Sequence, residues 1–181
     1  VVGVEALIRW RHQEKGLLEP SEFLPFIEKH PIRIELGTCI INMALTQISH
    51  WNEQGLDLPI SVNVSAYQLN DKNFLAQLTT ALEAHQNVRP NQLELEILET
   101  SGLDTMTHVR TLIGDCKKLG VSFSLDDFGT GYSSLSHLKN LPSDSIKIDR
   151  LFVQDMLTNQ DDLAIVQGII SLAEAFDRNV I

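Results

Sequence analysis

Strand-like and helix-like segments alternate along this chain with short connections between them, and few folds accept that order. VVGVEALIRW reads as a strand ending in charge. Residues 34–53 repeat apolar positions at helical spacing through Leu36, Ile40, Ile41, Ala44, Leu45, Ile48 and Trp51. ISVNVSA alternates as a strand, and residues 71–86 carry Phe74, Leu75, Leu78 and Leu82 on one helical stripe. LELEILE is a second alternating strand; a helix capped by Asp104 and running through Met106, Val109, Leu112, Ile113, Cys116 and Leu119 follows. VSFSLDD, a short helix over 133–140 that Pro142 ends, SIKID, a helix over 161–176 and NVI complete the series.

Five or six β–α units in series imply a parallel sheet covered by helices, either an open doubly wound sheet or a (β/α)8 TIM-like barrel. No strand is followed by GxGxxG or a P-loop, so the usual doubly wound nucleotide site lacks support. The placement of polar residues favours the barrel. Glu5, Asn63, Glu96 and the pair Asp126–Asp127 lie in or at the C-terminal part of four different strands, and Lys147 and Asp149 lie in another. Barrel enzymes assemble their sites from that rim. A complete barrel takes about 250 residues. This chain of 181 residues is therefore expected to be one domain, residues 1–181, forming an incomplete barrel with its first strand and last units missing.

Composition narrows the function classes. Hydrophobic residues at 43% and charged residues at 21% describe a globular protein, and no apolar run of about 18 residues exists to span a membrane. The expected location is cytoplasmic, with membrane anchoring open for the full-length protein. Cys39 and Cys116 sit in apolar helical patterns and are expected to be buried thiols in a reducing compartment. A net charge of −10 argues against extended binding to DNA or RNA, but not against a small phosphorylated ligand at a cation-bearing site.

LDDFGTGYSSL (125–135) is the densest local signal. Side chains of neighbouring strand residues point to opposite faces, so both aspartates reach one site only where the strand ends. Gly129 and Gly131 permit a sharp turn there. Two carboxylates this close share a proton or a cation, and at neutral pH a divalent metal with oxygen ligands is the usual solution. The alternative is a solvated Asp–Asp turn. Other residues leave similar choices open. Glu5 suits an exposed strand end as well as a ligand, and Asn63, opposite Val62 and Val64, suits a ligand or an interior hydrogen-bond network. Glu94 and Glu96 share one face of LELEILE, costly inside a barrel without cations and ordinary in solvent. Lys147, between Ile146 and Ile148, needs counter-charges if it points inward, and Asp126 and Asp127 could supply them. The six histidines show no ligand spacing and are expected at the surface.

Taken in order, EALIRW (5–10), NVSAYQL (63–69), LELEILETS (93–101), LDDFGTGYSSL and KIDRLFV (147–153) closely resemble the EAL-domain family of cyclic di-GMP phosphodiesterases. PSEFLPFIE (20–28) and HWNEQG extend the likeness over essentially the whole chain. The resemblance implies that Glu5, Asn63, Glu96 and Asp126 are ligands of one divalent metal, with Asp126 bridging to a second that Asp127 also binds. It implies catalytic roles for Lys147, at the attacking water or scissile phosphate, for Asp149, a carboxylate beside the metals, and for Glu99, which anchors the loop Phe128 to Ser134. Arg9 and Leu7 are implied in substrate binding. Three anionic oxygens and one amide suit Mg²⁺ or Mn²⁺, two per site, with Ca²⁺ binding but inhibiting. Two cations about 3.5–4 Å apart suit in-line displacement at phosphorus, giving linear pGpG. A homodimer through the loop after Asp127 and neighbouring helices, and an N-terminal sensory or diguanylate cyclase domain, are further implications.

The alternative is a catalytically inactive EAL-type receptor that binds cyclic di-GMP without turnover. A remote one is an enolase-like barrel using Lys147 as base. Two departures from the family pattern stand out. Leu98 replaces a usual threonine; it is expected to alternate away from Glu96 and to change packing without losing a ligand. The chain also stops before the Ala-Glu-Gly-Val-Glu segment whose first glutamate serves the second metal, and it lacks the Tyr-Gln-Pro strand and a late glutamine. The isolated chain is therefore expected to be inactive.

Overall fold

The computed structural model describes residues 1–27, 30–98, 106–130 and 134–181. Six strands form one parallel sheet: β1 (Val4–Ala6), β4 (Ile60–Asn63), β5 (Leu93–Leu98), β6 (Ser122–Phe128), β7 (Ser145–Ile148) and β8 (Asn179–Val180). Their spatial order follows chain order without reversal. A doubly wound sheet reverses its strand order at a switch point; this one does not, and it is part of an α/β barrel wall. Two further strands, β2 (Trp10–His12) and β3 (Gly16–Leu18), form a separate antiparallel hairpin.

Helix α1 (Pro20–Ile27) packs through Phe23 on Trp10 of the hairpin, whereas α2 (Ile32–Glu53), α3 (Ala66–Leu69), α4 (Phe74–Ala84), α5 (Met106–Lys118) and α6 (Ser134–Asn140) cover one face of the sheet; α7 (Arg150–Asp155) packs against α8 (Gln160–Ala175), which also lies on that face. The strand residues facing the helices are apolar at every second position. Ile60, Val62, Leu93, Leu95, Ile97, Phe123, Leu125 and Ile146 are none more than 3% exposed. They pack with the Ile41–Ala44–Leu45–Ile48 stripe of α2, Leu78 of α4 and Ile113 of α5. The opposite face carries Ser61, Asn63, Glu94, Glu96, Ser124, Asp126, Ser145 and Lys147, as strict alternation demands. Among the described residues no helix is long and apolar enough to cross a membrane.

Several local expectations change. VVGVEALIRW is not one strand: β1 stops at Ala6 and Trp10 begins the hairpin. Gly16, at φ +76°, permits the reversal, and the Trp10 ring packs edge-on against His12 and Phe23. Helices α3 and α7 are additions, each started by a local cap. Ser65 and Gln68 form a capping box, and Asp149 accepts a hydrogen bond from Leu151 N at 2.7 Å. His137 is buried rather than at the surface. Of the two thiols, Cys116 is buried but Cys39 is exposed, since it lies across α2 from the buried stripe. Burial, helped by the Asp115 charge, pushes the Cys116 thiol up to about 12. Brief exposure of the native protein to a thiol reagent is expected to label Cys39 and spare Cys116, as read by peptide mass spectrometry. Equal labelling would contradict the packing of α5.

Candidate functional site

Strand ends bring the polar residues to one rim. Asn63 is the last residue of β4, where the chain leaves the sheet through the Ser65 capping box. Its Nδ2 donates to Glu5 Oε1 at 2.7 Å, which leaves the amide oxygen to face another partner. Glu96 stands in register with Asn63 on one side and Ser124 on the other. Its carboxylate is fully buried. Lys147 Nζ donates to Oε1, and Oε2 has no hydrogen-bond partner among the described residues. Oxygens of Glu5, Glu96 and Asp126 all lie within 4.8 Å of one another.

The aspartate pair is presented by a bulge, not by the end of the strand. Leu125 pairs with Ile146 and Phe128 with Ile148, so three steps along β6 match two along β7. The extra residue falls at Asp126–Asp127, and Asp127 takes it up in the left-handed region at φ 54°. Aspartate tolerates that conformation better than most residues, and a bulge re-aims side chains at the mouths of barrels. The strand then continues to a buried Phe128.

The electrostatics are those of a site short of positive charge. Burial pushes the Glu96 carboxyl above its ordinary range, against the pull of Lys147. Burial also raises Asp126, with the Glu5 charge adding to it and the Asp127 backbone and Lys147 opposing. Asp127 is raised by burial and by the charges of Asp126 and Asp149. The Lys147 ammonium is held above its ordinary value because Glu96, Asp126 and Glu5 outweigh its burial. Converging carboxylate oxygens, one of them buried and unpaired, and an amide oxygen at hand make a donor set that fits a hard divalent cation.

The remaining residues lie less centrally. The direct partner of Lys147 is Glu96, on β5 across β6, and of the two aspartates expected from sequence Asp126 adds its charge to the lysine's surroundings. Asp149 spends an oxygen capping α7 and also faces Asp127. Arg9 bonds the Ile8 carbonyl at 2.9 Å and comes within 4.0 Å of Glu19, outside the carboxylate cluster. Leu7 is exposed just past β1. Glu99, Asp104 and residues 131–133 of the candidate loop lie outside the described residues. Leu98 does not alternate away from Glu96. Two positions apart on one strand, they share a face, and Leu98 stands in register with Asp126, 40% exposed at the rim. Sequence reasoning passed over Ser124, whose buried hydroxyl has no partner among the described residues. Its alternation with Phe123 and Leu125 in VSFSLDD was the available signal.

The EAL domain family model matches residues 1–181. The chain belongs to the EAL-domain family. Over 182 residues this EAL domain is 36% identical to the bifunctional diguanylate cyclase/cyclic di-GMP phosphodiesterase MucR of Pseudomonas aeruginosa, covering 100% of the chain and 26% of that protein. It is 34% identical over 181 residues to the cyclic di-GMP phosphodiesterase PdeR of Escherichia coli, covering 100% of the chain and 27% of PdeR. The chain thus spans about a quarter of the length of these relatives. Among solved structures, the MucR phosphodiesterase in complex with cyclic di-GMP matches with a TM-score of 0.90 at 36% identity, over 99% of this chain and 72% of that one. The EAL enzyme Bd1971 with cAMP and cyclic di-GMP bound matches at 0.88 with 33% identity, over 97% and 49% of the two chains. The tripeptide Glu5-Ala6-Leu7 of this EAL domain therefore sits where β1 ends at the carboxylate cluster.

Proposed function

We propose that this EAL domain is the catalytic part of a cyclic di-GMP phosphodiesterase that uses two Mg²⁺ or Mn²⁺ ions and releases linear pGpG. The observation that carries the reading is the convergence of Glu5, Glu96 and Asp126 oxygens within 4.8 Å beside Asn63 and Lys147. The likeness to phosphodiesterases supplies the substrate class.

Glu5, Asn63, Glu96 and Asp126 would hold one cation, and Asp126 with Asp127 the second. Bound there, the cations would acidify a water and offset charge on the phosphodiester. The chain's own contribution is placement. Glu96 holds the Lys147 ammonium in its charged state beside the cluster, where it can orient the attacking water or take up charge developing at phosphorus. Arg9 and Leu7, on the rim after β1, are the proposed ligand contacts, with Glu99 steadying the loop after Asp127. That loop and its neighbouring helices are proposed to carry a homodimer contact. Ca²⁺ would occupy the same oxygens with looser geometry and inhibit.

The full-length protein, incubated with cyclic di-GMP and Mg²⁺ or Mn²⁺, is expected to yield pGpG and to stop on chelation. Nucleotide binding with no product would overturn the enzyme reading in favour of a receptor. Thermal denaturation gives a second check. A cation at 100 times its dissociation constant stabilises the folded state by about 2.7 kcal/mol. Because burial raises Glu96 and Asp126 above their unfolded values, the folded state holds protons that the unfolded chain sheds. Metal-free stability therefore falls as pH rises through the raised values. The Mn²⁺-dependent rise in melting temperature should be largest above those values and fade as pH drops through them. A metal increment that grew on acidification would contradict the assignment.

A further inference from the structure

We infer that Glu94 is a positioning residue for this site, a strut tying β4, β5 and β7 at the heights that present Asn63, Glu96 and Lys147. The inference rests on the phosphodiesterase reading.

Glu94 lies on the inward face of β5, two residues before Glu96. Its two oxygens are spent on two other strands. Oε2 accepts from Ser61 Oγ at 2.9 Å, and Oε1 accepts from Ser145 Oγ at 2.7 Å. Ser61 is on β4, two residues before Asn63, and Ser145 is on β7, two residues before Lys147. The same period of two that places the rim residues places this layer directly beneath them.

β7 is not a neighbour of β5, because β6 lies between them. The tie to Ser145 therefore passes over a strand, and it does so where it has most to do. The bulge at Asp126–Asp127 interrupts the β6–β7 ladder, leaving the pairs Ser124↔Ser145 and Leu125↔Ile146 below it and Phe128↔Ile148 above it. Lys147 stands above those pairs, level with the interruption. A carboxylate suits the position chemically, since the two buried serine hydroxyls need two acceptors, and an unmet buried hydroxyl is costly. Reacting groups misplaced by about 1 Å can lose on the order of a hundredfold in rate, so a tether that touches neither ligand nor cation still matters.

The test uses the full-length protein and the variants Glu94→Leu, Glu94→Gln, Ser61→Ala and Ser145→Ala. Turnover of cyclic di-GMP and the Mn²⁺ concentration giving half the maximal thermal shift are both measured. Glu94→Leu is expected to lose roughly 10–100-fold in kcat with KM within about threefold, and to need roughly tenfold more Mn²⁺. Glu94→Gln should stay within about threefold of the parent in both, because its amide accepts from one serine and donates to the other. Each serine variant should fall between. A Leu variant indistinguishable from the parent overturns the inference. So does a Gln variant as impaired as Leu, since the charge and not the tether would then be at work. If Glu94→Leu does not fold, unchanged kcat and Mn²⁺ midpoint in both serine variants overturn it. A parent that binds Mn²⁺ but gives no pGpG defeats the phosphodiesterase reading alone, and the Mn²⁺ midpoints still decide the strut.

Discussion

Asp126→Asn is expected to reduce cyclic di-GMP turnover by roughly a thousandfold or more while leaving the metal-free protein at least as stable as the parent at neutral pH. The two halves of that outcome have one cause. Asp126 carries an anionic oxygen in the cluster with Glu5 and Glu96. In the proposed mechanism it would help to hold both cations, which would supply several kcal/mol of charge stabilisation in the transition state. Each factor of ten in rate corresponds to about 1.4 kcal/mol. An amide of the same shape is expected to keep the bulge and the neighbouring contacts but to lose the charge that would hold the cations.

In the metal-free protein the same charge is a burden. Burial and the Glu5 carboxylate raise Asp126, so its ionised form is less welcome in the folded state than in the unfolded one. Removing it should stabilise the metal-free fold above the raised value, and the gain should vanish as pH falls and the parent's carboxyl becomes protonated. Kinetics with Mn²⁺ and thermal melts at pH 5 and 8, with and without the cation, check both halves. A variant keeping a tenth of the parent's turnover, or melting several degrees lower at pH 8 without metal, would contradict the account.

The barrel wall was legible because it is written locally. ISVNV, LELEILE and VSFSL alternate apolar and polar residues at the period of a strand, and the structure sends Val62, Leu95 and Phe123 to the helices and Asn63, Glu96 and Ser124 inward. The choice of barrel over doubly wound sheet came from which residues sit at strand ends, and the unreversed strand order agrees with it. What sequence could not supply is relation between strands. The bulge at Asp126–Asp127 exists only with respect to β7, and both the partnership of Lys147 with Glu96 and the Glu94 tie pass over β6. The hairpin Trp10–Leu18 was missed because its strands have three residues each, too few for a period to show. Cys39 was misplaced for another reason: it was counted with the apolar helical pattern around it, whereas the stripe that α2 buries runs through Ile41, Ala44, Leu45 and Ile48 and leaves Cys39 exposed. Leu98 was legible and misread, since two residues of separation on a strand means the same face.

Lys147→Met tests the electrostatic centre from its positive side, and its largest effect is expected on stability. Glu96 is fully buried, and Lys147 is the one cation the structure places against it among the described residues. Removing one partner of a buried ion pair typically costs about 3–5 kcal/mol, because the other charge is stranded. Here the stranded carboxylate would face Glu5 and Asp126, which make its position worse. Its carboxyl, already raised by burial with the lysine present, should rise further without it. A raised folded value means that the folded state keeps a proton the unfolded chain releases, so the deficit should widen as pH climbs and narrow as Glu96 takes up its proton. The lysine's own raised value makes its contribution full at every pH below the ordinary lysine range, so it adds no slope of its own between pH 5 and 8. Urea unfolding at those two pH values measures the difference directly. The double variant Lys147→Met/Glu96→Gln should recover much of the lost stability, since replacing both members of a buried pair costs far less than removing one. It should recover no turnover, because the ammonium and an anionic oxygen proposed to hold a cation are then both gone. A single variant as stable as the parent at pH 8 would mean that Glu96 is already protonated beside Lys147. The donor set at this rim would then lack one of its anionic oxygens until a cation displaced that proton.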